Sequence, residues 1–188
     1  MRFALDNGRY LRPLKDTDAA ELHALIDRNR PQLARWMQWA QEQTPEQTLA
    51  FIHRSRAKES ENSGLQRAIV AAQRIVGMVG FPEIDWQNRS AEIGYWLDEA
   101  QQGRGLMTSA VAALANHAFD SLHLNRLEIR TDVENTPSRA VAERLGFSYE
   151  GTLRQSYRVV GERYSNDAVY SLLASDGAHD ARLSAADR

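Results

Sequence analysis

Apolar and polar positions change rhythm twice along this chain. From Asp18 to about Ser60 the apolar residues recur at helical intervals. Leu22, Leu25 and Ile26 form one stripe, and Asp18 with Glu21 three residues later predicts a capping box at its start. The run Arg30–Gln43 predicts a second helix beginning near Pro31. Thr44, Pro45 and Gln47 repeat the start signature for a third, as N-cap, first-turn proline and box partner. Ahead of these, Tyr10–Leu14 reads as a short strand that ends at a proline.

The rhythm then shortens. Gln66–Ala72 and Arg74–Phe81 are strand-like runs with a turn expected at Gln73–Arg74, and Ser90–Leu97 is a third strand. Met107, Val111, Leu114, Ala115, Ala118 and Leu122 return to helical spacing, so a helix is expected to about Leu122. Arg126–Val133 reads as a strand. Thr136–Phe147 reads as a short helix with Pro137 near its start and Gly146 as its C-cap. Two more strands, about Tyr149–Val160 and Arg163–Leu173, flank a turn at Gly161. From Ser175 the chain is polar, and that tail is expected to fray. The order predicts one domain over residues 1–174 followed by a tail over 175–188. The strands joined by the 106–122 helix should be parallel. A ligand should sit outside the carboxyl end of Ser90–Leu97.

Composition narrows the function. A chain of 188 residues is enough for one domain with a real core and short for two. Its net charge of −2 supplies no basic field for holding nucleic acid. It has no cysteine, so disulfides and thiolate metal sites are excluded, and a reducing compartment such as the cytoplasm is expected. The five histidines show no metal spacing, so no metal is expected. No run approaches the ~18 apolar residues of a membrane span. Met1–Leu14 has no apolar stretch of the secretory kind.

The candidate chemistry begins at Gln101–Ala110, QQGRGLMTSA, where two glycines flank an arginine just before a helix. A helix N-terminus presents unpaired N–H groups and partial positive charge, and glycines let a ligand approach the backbone. The stretch reads either as a pyrophosphate cradle or as a tight strand-to-helix turn. A dinucleotide fingerprint needs a third glycine where Thr108 stands, and a mononucleotide P-loop needs Gly-Lys-Ser/Thr; both are excluded.

Gln102 and Gly105 match the acetyl-CoA loop of the GNAT acyltransferase superfamily, Gln/Arg-x-x-Gly-x-Gly/Ala, and Met107 departs from its usual small residue. AEIGYWLDEAQQGRGLMT followed by NRLEIRTDVENTPSRAVAERLGFSYEGTLR resembles the RimJ/RimL branch, which acetylates ribosomal-protein N-termini. The likeness covers about Tyr10 to Leu173. It implies an α/β, single-domain GNAT fold with a mixed central sheet of about seven strands, flanked by helices and splayed at its centre around acetyl-CoA. It also implies direct transfer from acetyl-CoA to an amine, with no metal, no nucleic acid and no membrane, and it leaves room for a homodimer.

The likeness also implies site roles. Pantetheine would lie beside the strand on backbone groups of Trp96 and Leu97. The pyrophosphate would meet the backbone of Gln102, Gly103, Arg104, Gly105, Leu106, Met107 and Thr108. The Arg104 side chain is either a phosphate partner or a solvated loop group. Asn135 and Ser138 are ordinary helix-start residues that match the positions facing pantetheine and the leaving sulfur. Ala142 stands where many members carry a tyrosine acid, so Ser138 becomes the candidate donor to the departing thiolate. Glu92 is either the base or a salt-bridged strand carboxylate. The branch has a glutamate near the position of Tyr157, and this chain lacks it. Trp36 and Trp39, three apart on an expected helical face, are either core or acceptor groove.

An α-amine with a pKa near ~7.7–8 is roughly one-third neutral near pH 7.4, against about 0.1% for lysine. A weakly equipped site therefore favours a protein or peptide α-amine as acceptor. A small amine, such as an antibiotic or an aminoacylated toxic nucleotide, and a non-catalytic acyl-CoA-binding module are the competing readings.

Overall fold

The computed structural model describes residues 1–158 and 164–176. The expected turn at Gly161, the strand ends beside it and most of the tail lie outside the described residues. In chain order the elements are β1 (Phe3–Ala4), β2 (Tyr10–Arg12), α1 (Ala19–Arg28), α2 (Arg30–Trp36), α3 (Pro45–Ser60), β3 (Leu65–Ala71), β4 (Arg74–Phe81) and β5 (Ile84–Asp85). They continue with β6 (Ser90–Glu92), β7 (Gly94–Leu97), α4 (Leu106–Asp120), β8 (Arg126–Asp132), α5 (Thr136–Arg144), β9 (Ser148–Arg158) and β10 (Tyr164–Leu173).

The strands form two five-stranded sheets, ordered β1-β2-β3-β4-β7 and β5-β6-β8-β10-β9. The run expected as one strand, Ser90–Leu97, contributes to both. Its first part, β6, pairs in parallel with β8, Ser90 opposite Arg126 and Glu92 opposite Glu128. That is the parallel pair expected across the α4 crossover. Its second part, β7, pairs antiparallel with β4, Trp96 opposite Met78 and Gly94 opposite Gly80. Ile93 stands at the fork and donates its N–H to the Glu128 carbonyl at 2.8 Å. Beyond Glu128, β7 and β8 part company, and the expected splay is this divergence.

The main core fills the space beneath the fork. Along α4, Ala110, Val111, Leu114, Ala115 and Ala118 are fully buried. A second apolar cluster lies against β3 and β4, where Leu22, Leu25, Ile26, Leu33 and Ile52 from the first three helices meet Ala68, Val70, Ile75 and Met78. Both faces of the first sheet are therefore covered, which is why β3 and β4 read as nearly unbroken apolar runs. Arg67 is buried within β3 and forms two bonds to Glu59, at 2.8 and 2.7 Å. No helix among the described residues is long and apolar enough to cross a membrane.

Some local expectations hold and some do not. The box at Thr44 and Gln47 forms in both directions, at 3.2 and 2.9 Å. The box at Asp18 and Glu21 does not, because stronger partners take both carboxylates. Asp18 accepts from the Lys15 N–H at 2.7 Å and pairs with Arg12 at 2.6 Å, while Glu21 reaches Arg74 and the Ile75 N–H. The β3–β4 turn is at Ala72–Gln73, one residue earlier than expected, and both residues have positive φ, +47° and +62°. Neither is the glycine or asparagine that usually announces such a hairpin.

Candidate active site

Between the diverging strands lies an open cleft of about 1710 Å³. Its wall along β7 is an unpaired sheet edge. Ile93 donates toward β8 and Asp98 donates toward β4, to the Val76 carbonyl at 2.8 Å. Strand alternation then turns the backbone groups of Tyr95 and Leu97 to the cleft and those of Gly94 and Trp96 to β4. The expectation that Trp96 offers its backbone to a ligand is therefore corrected: β4 already takes those groups, and Tyr95 stands in their place.

The glycine loop closes one end of this edge. The side chain of Gln102 reaches back to the Leu97 carbonyl, Nε2 to O at 3.4 Å. Gly103 and Gly105 have φ of +72° and +71°, and a Cβ at either position would meet nothing within 4 Å. The left-handed backbone is what calls for glycine here. The first backbone bond of α4 runs from the Ser109 N–H to the Gly105 carbonyl at 3.0 Å. The amides of Leu106, Met107 and Thr108 thus have no partner within the helix, and these three residues line the cleft. The chemistry suits a diphosphate: converging amides at the positive end of a 15-residue helix. Arg104 is exposed and does not line the cleft.

A clasp joins this loop to the helices across from it. Arg28 pairs with Asp98 at 2.8 Å, and the buried Asn29 accepts from the Glu99 N–H at 3.0 Å. Asp98, buried at the loop's start, is held below the usual aspartate range; hydrogen bonds from Arg28, Asn29 and the Ala100 N–H outweigh the opposing, largest effect of burial. No sequence signal pointed to this clasp.

The opposite wall is the start of α5. Asn135 is its N-cap, accepting from the Ser138 N–H at 3.3 Å. Arg139 fastens the helix to the sheet, donating to the Tyr170 hydroxyl at 2.9 Å and the Val133 carbonyl at 3.1 Å. Ser138 lines the cleft beside the Tyr95 hydroxyl, Oγ to O 3.0 Å. Ala142 is fully buried in the main core, so no side-chain hydroxyl approaches from the place where a tyrosine acid would stand.

Glu92 is half-exposed on the cleft wall with Arg130 at 3.8 Å. Desolvation pushes its carboxyl above the ordinary value; Arg130 opposes this, and Glu128 and Asp167 add to it. Glu92 is thus a loosely salt-bridged strand carboxylate with raised basicity.

The tryptophans do not share a helical face. Met37 is extended, with φ −129° and ψ 101°, and ends α2 at Trp36. Neither ring is in the core. Trp36 is half-buried on the cleft wall, with the Arg35 guanidinium 4.5 Å above it. Trp39 is 43% exposed and off the wall, tilted against Trp96 with ring centroids 6.4 Å apart. Tyr157 lines the cleft and its hydroxyl accepts from the Gln38 N–H at 3.2 Å, tying β9 to the segment after α2. Among the described residues no group of three or more His, Cys, Asp or Glu side chains converges as a metal site.

Comparison with known proteins gives concordant results. Residues 9–148 match the family model of the acetyltransferase (GNAT) domain. YdaF of Bacillus subtilis (strain 168), provisionally named a ribosomal N-acetyltransferase, is 35% identical over 162 residues, 85% of this chain and 87% of the relative. The ribosomal-protein-serine acetyltransferase of Escherichia coli (strain K12) is 31% identical over 170 residues, covering 84% and 94%. Among solved structures, RimL, a ribosomal-protein α-N-acetyltransferase in complex with coenzyme A, superposes with a TM-score of 0.88 at 27% identity over 92% of this chain and 98% of its own.

Proposed function

The chain belongs to the GNAT acetyltransferase family, and on that premise we propose that its acceptor is the N-terminal α-amine of a protein, of the ribosomal-protein kind. It is an N-acetyltransferase, and acetyl-CoA is its donor. One domain spanning residues 1–174 carries the activity.

The observation that carries this reading is the modest basic equipment of the cleft. Glu92 is raised in basicity yet half-exposed and tied to Arg130. At the place where the branch has a glutamate, Tyr157 presents a phenol instead. Such a site suits an amine that is already about one-third neutral near pH 7.4. The names of the relatives point the same way.

Bound acetyl-CoA supplies an acetyl group activated as a thioester. The residues of the chain orient it and manage charge. The cleft-facing backbone of Tyr95 and Leu97 pairs with the pantetheine amides as a neighbouring strand would. The amides of Leu106, Met107 and Thr108, reached over Gly103 and Gly105, hold the pyrophosphate, and the Thr108 hydroxyl adds a donor. Gln102 braces the loop through Leu97. Asn135 caps α5 and, from the cleft wall, faces the pantetheine arm and helps bind it. Ser138, three residues on, donates its hydroxyl hydrogen bond to the sulfur as negative charge develops there. Glu92 removes the proton of the attacking amine, directly or through water. Trp36 and Tyr157 line the acceptor side, and Trp39 supports it through Trp96.

The test is a panel of amines assayed by thiol release. A ribosomal-protein N-terminal peptide should exceed the same peptide with a blocked N-terminus and a free lysine by on the order of 300-fold in kcat/KM at pH 7.4, the ratio of neutral fractions. Equal rates, or a preference for small amines, would overturn the assignment of acceptor.

A further inference from the structure

Ser138 does not stand alone. The Tyr95 hydroxyl approaches it twice, at 3.0 Å from Oγ and 3.1 Å from the backbone carbonyl oxygen. Tyr95 comes from the open strand and Ser138 from the helix across the cleft, so this contact spans the fork between the sheets. Burial pushes the Tyr95 phenol up to about 12, with the Ser138 bond pulling the other way, and the group stays protonated at any physiological pH.

Counting protons sharpens the arrangement. Tyr95 has one to give and two acceptors within reach. If it donates to the carbonyl, the bond between the two hydroxyls forms only when Ser138 gives its own proton to the phenol oxygen. If it donates to Oγ, the Ser138 proton is free to turn into the cleft. A full negative charge in the cleft favours the second state, because charge-assisted bonds are the stronger ones and a chain of donors polarises cooperatively.

We propose that Tyr95 is a positioning residue for the leaving group, switching its hydroxyl onto Ser138 Oγ so that Ser138 can donate to the departing sulfur. The inference rests on the role given to Ser138 above. In the step, the bond from amine nitrogen to acetyl carbon forms and the carbon–sulfur bond breaks, its electron pair staying on sulfur. The Ser138 hydroxyl donates to that sulfur and the Tyr95 hydroxyl donates to Ser138 Oγ. The amine proton leaves through Glu92 to water, and the thiolate takes its proton from water. Both hydroxyls keep theirs. The strand thereby supplies the phenol that the buried position of Ala142 cannot.

The test compares CoA with desulfo-CoA, which lacks the sulfur, by calorimetry across pH. In the wild-type protein the preference for CoA should grow as pH rises through the thiol value of ~8.5. Tyr95→Phe should cut that preference at alkaline pH by about 10-fold, the strength of one hydrogen bond on a charged path. The same variant should lower kcat by a similar factor at unchanged KM for acetyl-CoA. In a Ser138→Ala background the Tyr95→Phe change should have no further effect on kcat. An unchanged preference for CoA, or an equal loss of kcat with and without Ser138, overturns the proposal while leaving the Ser138 reading intact. If Ser138→Ala itself changes neither quantity, the Ser138 reading fails and this inference fails with it. Should Tyr95→Phe melt early, 3-fluorotyrosine at the same position keeps the ring and hydroxyl and strengthens the donor. The preference for CoA must then rise, and no change overturns the proposal.

Discussion

Gly105 can be separated from an ordinary turn glycine by comparison with Gly8. The two have nearly the same backbone, φ +71° and +72°, and a Cβ on either meets nothing within 4 Å. They differ in place. Gly105 lines the cleft at the N-terminus of α4, while Gly8 ends the 3₁₀ turn between β1 and β2 and is not on the cleft wall. Alanine in left-handed backbone costs roughly 1–2 kcal/mol. At roughly 2–4 °C per kcal/mol for a domain of this size, each variant should melt roughly 2–8 °C lower without ligand. Alanine is preferred to valine, whose branched Cβ would add strain of its own at positive φ. Their responses to CoA should diverge. The new methyl at 105 occupies space over the free amides, and affinity should fall at least ~10-fold, or about 1.4 kcal/mol. At a CoA concentration 100 times the wild-type Kd, ligand stabilisation of about 2.7 kcal/mol should be kept by Gly8→Ala and roughly halved in Gly105→Ala. Paired thermal melts and calorimetry read both quantities. Equal CoA affinity in the two folded variants would reduce Gly103 and Gly105 to turn residues and remove the pyrophosphate cradle.

Ser138→Ala should lower kcat by roughly 10–100-fold, the worth of one hydrogen bond to a charged group, with acetyl-CoA binding nearly intact; wild-type kcat where chemistry limits turnover would refute the role. Asn135→Ala removes the α5 cap, so it should cost about 1 kcal/mol in denaturant melts and raise the KM for acetyl-CoA; a loss of kcat alone would contradict this. Glu59→Ala strands the buried Arg67 and should destabilise by roughly 3–5 kcal/mol, and a loss under 1 kcal/mol would mean that water reaches the guanidinium. Glu150, held at about 2 by its bonds to Arg126 and Ser171, has a folded value below its unfolded one. The stability it contributes is fully present above the ordinary glutamate range and is lost as pH falls toward 2; melts of Glu150→Gln should show a shallower acid limb than wild type.

Elements whose signals are local could be read from the sequence. α4 was visible in its apolar spacing, α3 in its capping box and α5 in its proline and glycine. A cleft opens outside the carboxyl end of Ser90–Leu97, where a parallel pair joined by a helix leads the sequence to expect a ligand. What stayed hidden depends on long-range partners. The alternation through Ser90–Leu97 gives no hint that Ile93 changes sheets. The Tyr95 contact with Ser138 spans 43 positions and looks from sequence like any strand tyrosine. Asp18 and Glu21 had the right spacing for a cap, but Arg12 and Arg74 hold their carboxylates elsewhere. Trp36 and Trp39 lost their common face to a single extended residue, Met37.

The clasp at Asn29 and Asp98 has a thermodynamic consequence. It fastens the junction of α1 and α2, which leads to the Trp36 wall, onto the segment that begins the donor loop. On the proposed reading, donor and acceptor would bind to two ends of one tethered unit. By linkage, the factor by which the first tightens the second equals the factor by which the second tightens the first. The entropy of stilling that unit falls on whichever ligand arrives first, and the later one binds to a surface already ordered.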